Sequence, residues 1–439
     1  METRFDRRDR VALLGCAGLV ATAIAVGVVY VHIHAPRSVG VPAAPWAAHW
    51  QLDPAVLLRA IVPAVIAAYA AWRLPTVAAR ASWPAVVAIG IAVVVILSFA
   101  LAWSGPASTH WTSMQFEYGQ HAHLVQDWGG PAAFLRRYVQ EQPHLATHLR
   151  AHPPGLVLLL WSASQLGASG THFQLALMLA GGAIATVAAL VAAKEVAGTT
   201  LARAAMPFVV LAPVVVWRTN PDVVFGAVAL TGVALFLLAT SRRGPVATAL
   251  AIGGGLVFAA ALFLTYGVTL LALPAIAVAW QRRRLTLLGW AGFGVALGVA
   301  VPALWGFSWF AGLAETHRQY QASIAHERGY IYWLLGNAAV FVALIGPATV
   351  AGLARLRDLS TSTQGLVVGA LAAPVLAGLS GLSSAETERI WQPFVPLVLV
   401  AGAALWLRGD GFYEGGARRW LAMQAGVAIL FQVLLRTPW

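Results

Sequence analysis

The sequence predicts an all-α protein, a polytopic bundle of about 13 transmembrane helices, on three observations. Hydrophobic residues make up 59% of the 439 and charged residues 10%, where soluble domains carry roughly a quarter charged. Apolar runs of about 20 residues, enough to cross roughly 30 Å of hydrocarbon, recur along the chain. Basic residues form short clusters between those runs, the distribution that the positive-inside rule gives to cytoplasmic turns. A mean hydropathy of +0.75 agrees. The net charge of +12 therefore marks membrane topology, and no nucleic-acid partner is expected. Lys194 is the single lysine, and Cys16, inside the first apolar run, is the single cysteine, so no disulfide framework exists.

The elements follow in order. Arg4, Arg7, Arg8 and Arg10 are expected in the cytoplasm. The first run, 11–33, is long and lacks a clean small-residue cleavage site, which predicts a retained anchor rather than a signal peptide. Helices at 54–72 and 84–104, with Arg73 and Arg80 between them, complete an N-terminal three-helix segment, 1–104. Residues 105–169 then form an extracytoplasmic loop and a half-helix. The apolar stretch 154–169 is short, and counting it as a crossing would put Lys194 and Arg203 outside, so it is expected to be packed in protein. The rest, 170–439, is the main bundle, with helices near 170–193, 204–217, 222–240, 246–264, 267–281, 285–308, 332–354, 364–382, 389–407 and 418–436. Its cytoplasmic turns carry Lys194 with Arg203, Arg242 with Arg243, Arg282 to Arg284, Arg355 with Arg357, and Arg408 with Arg418 and Arg419.

Chemistry gathers on the outer side of this map. Six histidines, His110, His121, His123, His144, His148 and His152, fall in the loop 105–153, with Glu117, Asp127, Glu141, Arg136, Arg137 and Arg150. A polar loop of that length between membrane helices is more often functional than a spacer. Residues 114–130 are expected to form a short amphipathic helix, with Phe116, Ala122, Leu124, Val125 and Trp128 against the membrane and Glu117, His121 and Asp127 facing inward or to water. His144, His148 and His152 are spaced i, i+4, i+8, so a continuous helix would align them as a weak alternative metal site. Pro153–Pro154 disfavours helix at His152. A second outward stretch, 312–333, combines alternating charge with Tyr320, Tyr330, Tyr332 and Trp333, which suits sugar stacking or a membrane belt equally.

Several of these segments resemble the GT-C class of membrane glycosyltransferases. FEYGQHAHLVQDWGG carries Glu117, Tyr118, Ala122, Leu124 and Gly129 in the pattern of that class's first outer loop. The loop closes on His152-Pro153-Pro154-Gly155, and RTNPD (218–222), FLTYGVTLLALP (263–274) and ETERIWQPFVP (386–396) are similar to later family segments. The likeness covers about 115 to 400. The family's common acidic pair is here Phe116-Glu117, with one carboxylate.

The resemblance implies transfer of a sugar, of mannose or arabinose type, from a polyprenyl-phosphate donor to a glycan or glycolipid acceptor at the outer face of a plasma membrane. It implies Glu117 as the catalytic base, with Asp127 second, and donor-phosphate contacts from Arg389, His152, Arg318 and His317. The substrate pocket would be completed by Tyr118, His121, Asp222, Arg218, Tyr266 and Glu388. No cofactor is implied, although some relatives use a divalent cation such as Mg or Mn. Bland readings stand beside these: an Arg218–Asp222 salt bridge, and an ion pair of Arg389 with a neighbouring glutamate. A secondary transporter or flippase, and a non-catalytic assembly protein, are the rival classes. Transporters place ionisable groups near the midplane, whereas here the predicted helix interiors are nearly free of charge.

Overall fold

The computed structural model describes residues 6–34, 41–106, 112–408, 411–412 and 416–438; Arg4 and His110 lie outside the described residues. Among the described residues, nine helices are long and apolar enough to cross a membrane: Arg7–Ile33, Pro54–Arg80, Trp83–Ser104, Gly170–Val210, Asp222–Thr240, Gly244–Leu262, Leu285–Leu304, Tyr330–Leu353 and Thr361–Leu379. Val11, Leu14, Trp72, Phe293 and Leu297 stand on their outer faces without protein cover. Lipid tolerates apolar surface of that extent and water does not. The chain is a multi-pass helical membrane protein.

The helix ends sort into two groups. Arg355 binds Asp6 at 2.6 Å and also Asp9, joining the start of the first helix to the end of Tyr330–Leu353. Arg203 Nε donates to the Ala78 carbonyl at 2.7 Å, Arg418 Nε to that of Trp72 at 3.1 Å, and Lys194 lies over the Trp83 ring. Arg282 donates to Thr240 Oγ1 at 2.8 Å, and Arg242 faces Glu195. These contacts collect the basic clusters at one end of the bundle. At the opposite end Tyr30 stacks on Tyr332 at 4.4 Å, the short strand His49–Trp50 pairs with Leu435–Arg436, and the long loop packs down. The two groups reproduce the side-to-side sorting expected from the sequence.

Differences from expectation are local. The second helix runs through Pro75 to Arg80 instead of ending at 72, because Arg73 covers Trp72 and does not interrupt the helix. The expected helices 170–193 and 204–217 meet at a break at Ala197–Gly198, and the second finishes as a 3-10 turn, Pro213–Trp217. Residues 389–407 are not one helix. They form Thr387–Ile390, Val395–Val398 and 3-10 turns reaching Leu405, since Pro393 and Pro396 remove backbone donors. Gly155–Gln165, 11 residues long, spans about 16 Å. Its start is tied to the Phe263 carbonyl at 3.1 Å, and the next helix is held to the loop by Gln174 on Gln115 at 2.6 Å. Both of its ends therefore lie near the loop.

One break shows how such a fold stays intact in lipid. Tyr330–Leu353 interrupts at Gly346, φ 74°, followed by Pro347. Gln424 fills the gap: its Nε2 donates to the Ile345 carbonyl at 2.9 Å and its Oε1 accepts from Ala348 N at 3.2 Å. A Cβ at 346 would collide with that amide, so both glycine's φ and its missing side chain are used. Replacing Gln424 by Leu strands two buried backbone groups. Gln424→Leu is expected to destabilise the protein by about 3 kcal/mol, read as a shift in the unfolding midpoint in micelles; an unshifted midpoint would refute the bridging role.

Candidate functional site

The loop does not form the single helix expected over 114–130. It folds as Ser113–Glu117, a 3-10 turn Gly119–His121 and Leu124–Asp127, ending at Gly129 and Gly130 with φ of 95° and 92°. Ser113 Oγ donates to the Thr219 carbonyl at 3.0 Å, which with the Gln174–Gln115 bond presses the first short helix onto the bundle. Glu117 is thereby turned inward, while Phe116 faces outward. Val125 and Trp128, expected against the membrane, pack inward instead; Trp128 lies on Phe134, and Val125 is fully buried.

The second half of the loop is set by Tyr138, whose hydroxyl donates to the carbonyls of Leu149 at 2.8 Å and His152 at 3.1 Å. Gln142 Nε2 adds bonds to the Arg150 carbonyl and to Thr316 Oγ1, each at 2.8 Å. Thr147–Ala151 is helical and His152 is extended, the conformation proline imposes on the residue before it. The three histidines consequently share no face. His144 is exposed beside Glu141, His148 turns to Glu117, and His152 is half-buried against Tyr118 and Phe225. Among the described residues, no group of three or more His, Cys, Asp or Glu side chains is placed to hold a metal ion.

Two bundle segments meet this loop. The turn before Asp222–Thr240 is closed by Asn220 Oδ1, which accepts from Asp222 N at 2.9 Å, leaving Asp222 in the helix's first turn. The short helix bearing Arg389 is entered through Ala385 and Glu386, with φ of 74° and 59°. Left-handed backbone costs an L-residue about 1–2 kcal/mol, and two in succession mark an enforced geometry.

Glu117 and Arg389 meet. Arg389 Nη1 donates to Asp222 Oδ2 at 2.9 Å and lies 3.6 Å from Glu117 Oε2; Nη2 donates to Glu386 Oε2 at 2.8 Å. On its other side Glu117 Oε2 is 3.4 Å from His148 Nδ1 and has no hydrogen-bond partner in the protein. The Tyr118 ring sits among His148, His152 and Phe225, with centroids 5.9–6.3 Å away. Glu117 is only 4% exposed, so these charges face one another inside the protein beside the Tyr118 ring.

Three carboxylates share one guanidinium, and the one without a hydrogen bond bears the consequence. Burial pushes the Glu117 carboxyl up to about 7; Arg389 opposes the rise, and Asp222 and Glu386 add to it. Burial lowers His148 to about 2, helped by Arg389, His152 and His121, and lowers His152 to about 4 against the pull of Asp222. Both rings are neutral near pH 7, so the His148–Glu117 contact is not an ion pair. The site can take up one proton at Glu117 near neutrality and holds one fixed cation.

Other residues singled out from the sequence stand elsewhere. Asp127 is exposed beside His123, which removes it from the buried chemistry. Arg318 binds Glu315 and His317 faces Gln321, both on the outside of Trp309–Gln321. His121 borders the cluster half-buried, its pKa lowered by burial and by His123. Arg218 does not pair with Asp222. It turns away, donating to the Val209 carbonyl at 3.2 Å and to Thr186 Oγ1 at 3.4 Å. Tyr266 packs on Trp309, away from Glu117. Glu388 points to the far side of Arg389's short helix, where Oε1 accepts from Ala47 N at 3.1 Å. Tyr332 and Trp333 are buried in an aromatic cluster with Tyr30. Sequence reasoning gave His148 no place beside Glu117, because only the fold brings them together. Glu386 was legible as an i, i+3 partner of Arg389.

Comparisons with protein-family models, with curated proteins and with solved structures each gave no match.

The raised Glu117 carboxyl has a measurable consequence. Its folded value near 7 exceeds the ordinary 4.5, so the folded state binds the extra proton between those values. Stability from this group is full below about pH 4.5 and is lost as pH rises through about 7, a decline of about 3 kcal/mol. Denaturant titrations from pH 5 to 8 are expected to show this fall, and Glu117→Gln to flatten it; an identical fall in the variant would place the proton elsewhere.

Proposed function

We propose that this protein is a GT-C-type membrane glycosyltransferase, moving a sugar of mannose or arabinose type from a polyprenyl-phosphate donor to a cell-envelope acceptor. The observation that carries the reading is the buried Glu117 carboxylate, 3.6 Å from Arg389 and roofed by the long loop at the end opposite the basic clusters. Under the positive-inside rule the basic end is cytoplasmic and the loop end extracytoplasmic in a plasma membrane. The chain then crosses thirteen times. Gly170–Val210 with Pro213–Trp217 counts as two passes, and the shorter or broken segments 267–281, 387–405 and 417–434 supply three beyond the long helices.

The chemistry assigned to the site is substitution at an anomeric carbon. The acceptor oxygen forms its bond to that carbon as the bond to the donor's phosphate oxygen breaks, and the acceptor's proton passes to Glu117. A carboxyl titrating near 7 is suited to this, being substantially ionised at neutral pH yet basic enough to take a proton. Arg389 faces the negative charge left on the phosphate. Asp222 holds Arg389 in position. A hydrocarbon-anchored donor arrives laterally, which matches a site at the helix ends.

Transfer from radiolabelled polyprenyl-phosphate sugars to envelope acceptors, by purified protein in lipid, tests the reading. The rate is expected to rise with pH through about 7, since the base acts deprotonated. Glu117→Gln should lower it by about 100-fold or more, and Asp127→Asn should leave it within about twofold; transfer undiminished in Glu117→Gln rejects the base. One feature favours a transporter instead: the discontinuous segment 387–405 opens with buried Glu388 and Arg389. Uptake of a labelled solute into sealed vesicles, with no glycoside formed, would establish that alternative.

A further inference from the structure

We propose that the Glu386 carboxylate is a built-in occupant of an anion site on Arg389, holding the place that a phosphoester oxygen takes and leaving when the phosphate binds. The inference rests on the glycosyltransferase reading only in identifying that phosphate with the donor's. The exchange of anions stands on the geometry alone.

Arg389 has three carboxylate neighbours, and Glu386 differs from the other two in three respects. Its side chain is 34% exposed, whereas those of Asp222 and Glu117 are each 5% exposed, so only Glu386 has solvent to move into. Its tie is local, three residues along the chain, whereas Asp222 and Glu117 join segments 167 and 272 residues away, so its departure breaks no long-range contact. Its backbone is strained: Ala385 and Glu386 both hold positive φ without being glycine.

The surroundings confine movement to the Glu386 side chain. Tyr320 donates to the Gly381 carbonyl at 2.7 Å, Asn337 to the Ser383 carbonyl at 2.7 Å, and Arg328 to the Ser384 carbonyl. Beyond the strained pair, Thr387 and Arg389 are buried. The Glu386 carbonyl accepts from Arg389 N at 3.1 Å and Ile390 N at 3.0 Å, so the backbone stays and rotation about the Glu386 side-chain torsions swings the carboxylate outward.

The charge balance explains why an occupant is needed. A guanidinium buried with too few counter-charges is costly, so an empty site keeps Glu386 on Nη2. A phosphate added beside three carboxylates would meet strong repulsion, whereas exchange for one of them leaves the local charge nearly constant. The planar fork of Arg389 accepts either oxyanion. A neutral sugar lacks the charge to displace Glu386, so the device selects phosphoesters.

The test uses full-length protein in phosphatidylcholine nanodiscs, with dodecyl phosphate and inorganic phosphate as probes and affinity read by thermal shift and calorimetry. Wild type is expected to bind dodecyl phosphate, and Glu386→Gln to bind it about tenfold more tightly, the gain for a site held closed about nine-tenths of the time. Arg389→Lys, which keeps the charge and removes the fork, should weaken binding in both backgrounds. Preference for dodecyl phosphate over inorganic phosphate assigns the ligand to the membrane; equal affinity assigns it to solution, with the exchange upheld. Binding that Glu386→Gln leaves unchanged or weakens, binding indifferent to Arg389→Lys, or no binding in any form overturns the proposal. Tighter binding in Glu386→Gln without sugar transfer would remove the enzymatic reading alone.

Discussion

The guanidinium of Arg389, buried among the carboxylates of Glu117, Asp222 and Glu386, is the contact on which the working end of this protein depends. It joins three stretches that also meet through Ser113 on the Thr219 carbonyl and Gln392 on the Trp217 carbonyl: a loop after the third helix, the turn opening Asp222–Thr240, and the broken segment after residue 386. Each pays conformationally to be there. The loop gives up a continuous helix, the turn needs the Asn220 bond, and the last stretch holds two left-handed residues. A buried charge left with one partner would be worse, so the three segments stabilise one another.

Irregular backbone at that depth survives only because side chains complete it. Gln424 bridges the break at Gly346, and Arg218 donates to the Val209 carbonyl at the end of Gly170–Val210, where a cation also suits the helix terminus. Gln392 donates to the Trp217 carbonyl at 2.5 Å. Close approach of regular helices has a different basis. Gly232 and Gly254 let Asp222–Thr240 and Gly244–Leu262 touch where a Cβ on either would fall within 3 Å of the other's backbone. Regular helices thus pack through small residues, and broken ones through polar side chains.

This division explains what could be read from the sequence. Helix positions and their alternation between two ends follow from apolar run length and basic clusters, both local properties, and they match the structure within a few residues over most of the bundle. The inward turn of Glu117 is one of the two orientations that the amphipathic spacing allows, and the short apolar stretch is a short helix, Gly155–Gln165. What failed was anything requiring a partner distant in the chain. The helical spacing of His144, His148 and His152 assumed a continuity that the loop lacks, and the expected Arg218–Asp222 pair overlooked two better partners, a helix terminus for one and Arg389 for the other. Proximity in sequence is a poor guide where the backbone turns every four or five residues.

The geometry sets the Glu117 carboxyl apart from the other two on Arg389. With Nη1 and Nη2 of Arg389 donating to Asp222 and Glu386, Glu117 stays close enough to feel the cation and too far to be neutralised by it. Had it shared a hydrogen bond with Arg389, its proton affinity would have fallen. The neighbouring Asp222 adds to the rise in Glu117 while occupying the arginine. Glu117 and Asp222 lie 105 positions apart in the sequence, and only the fold makes them neighbours on one arginine.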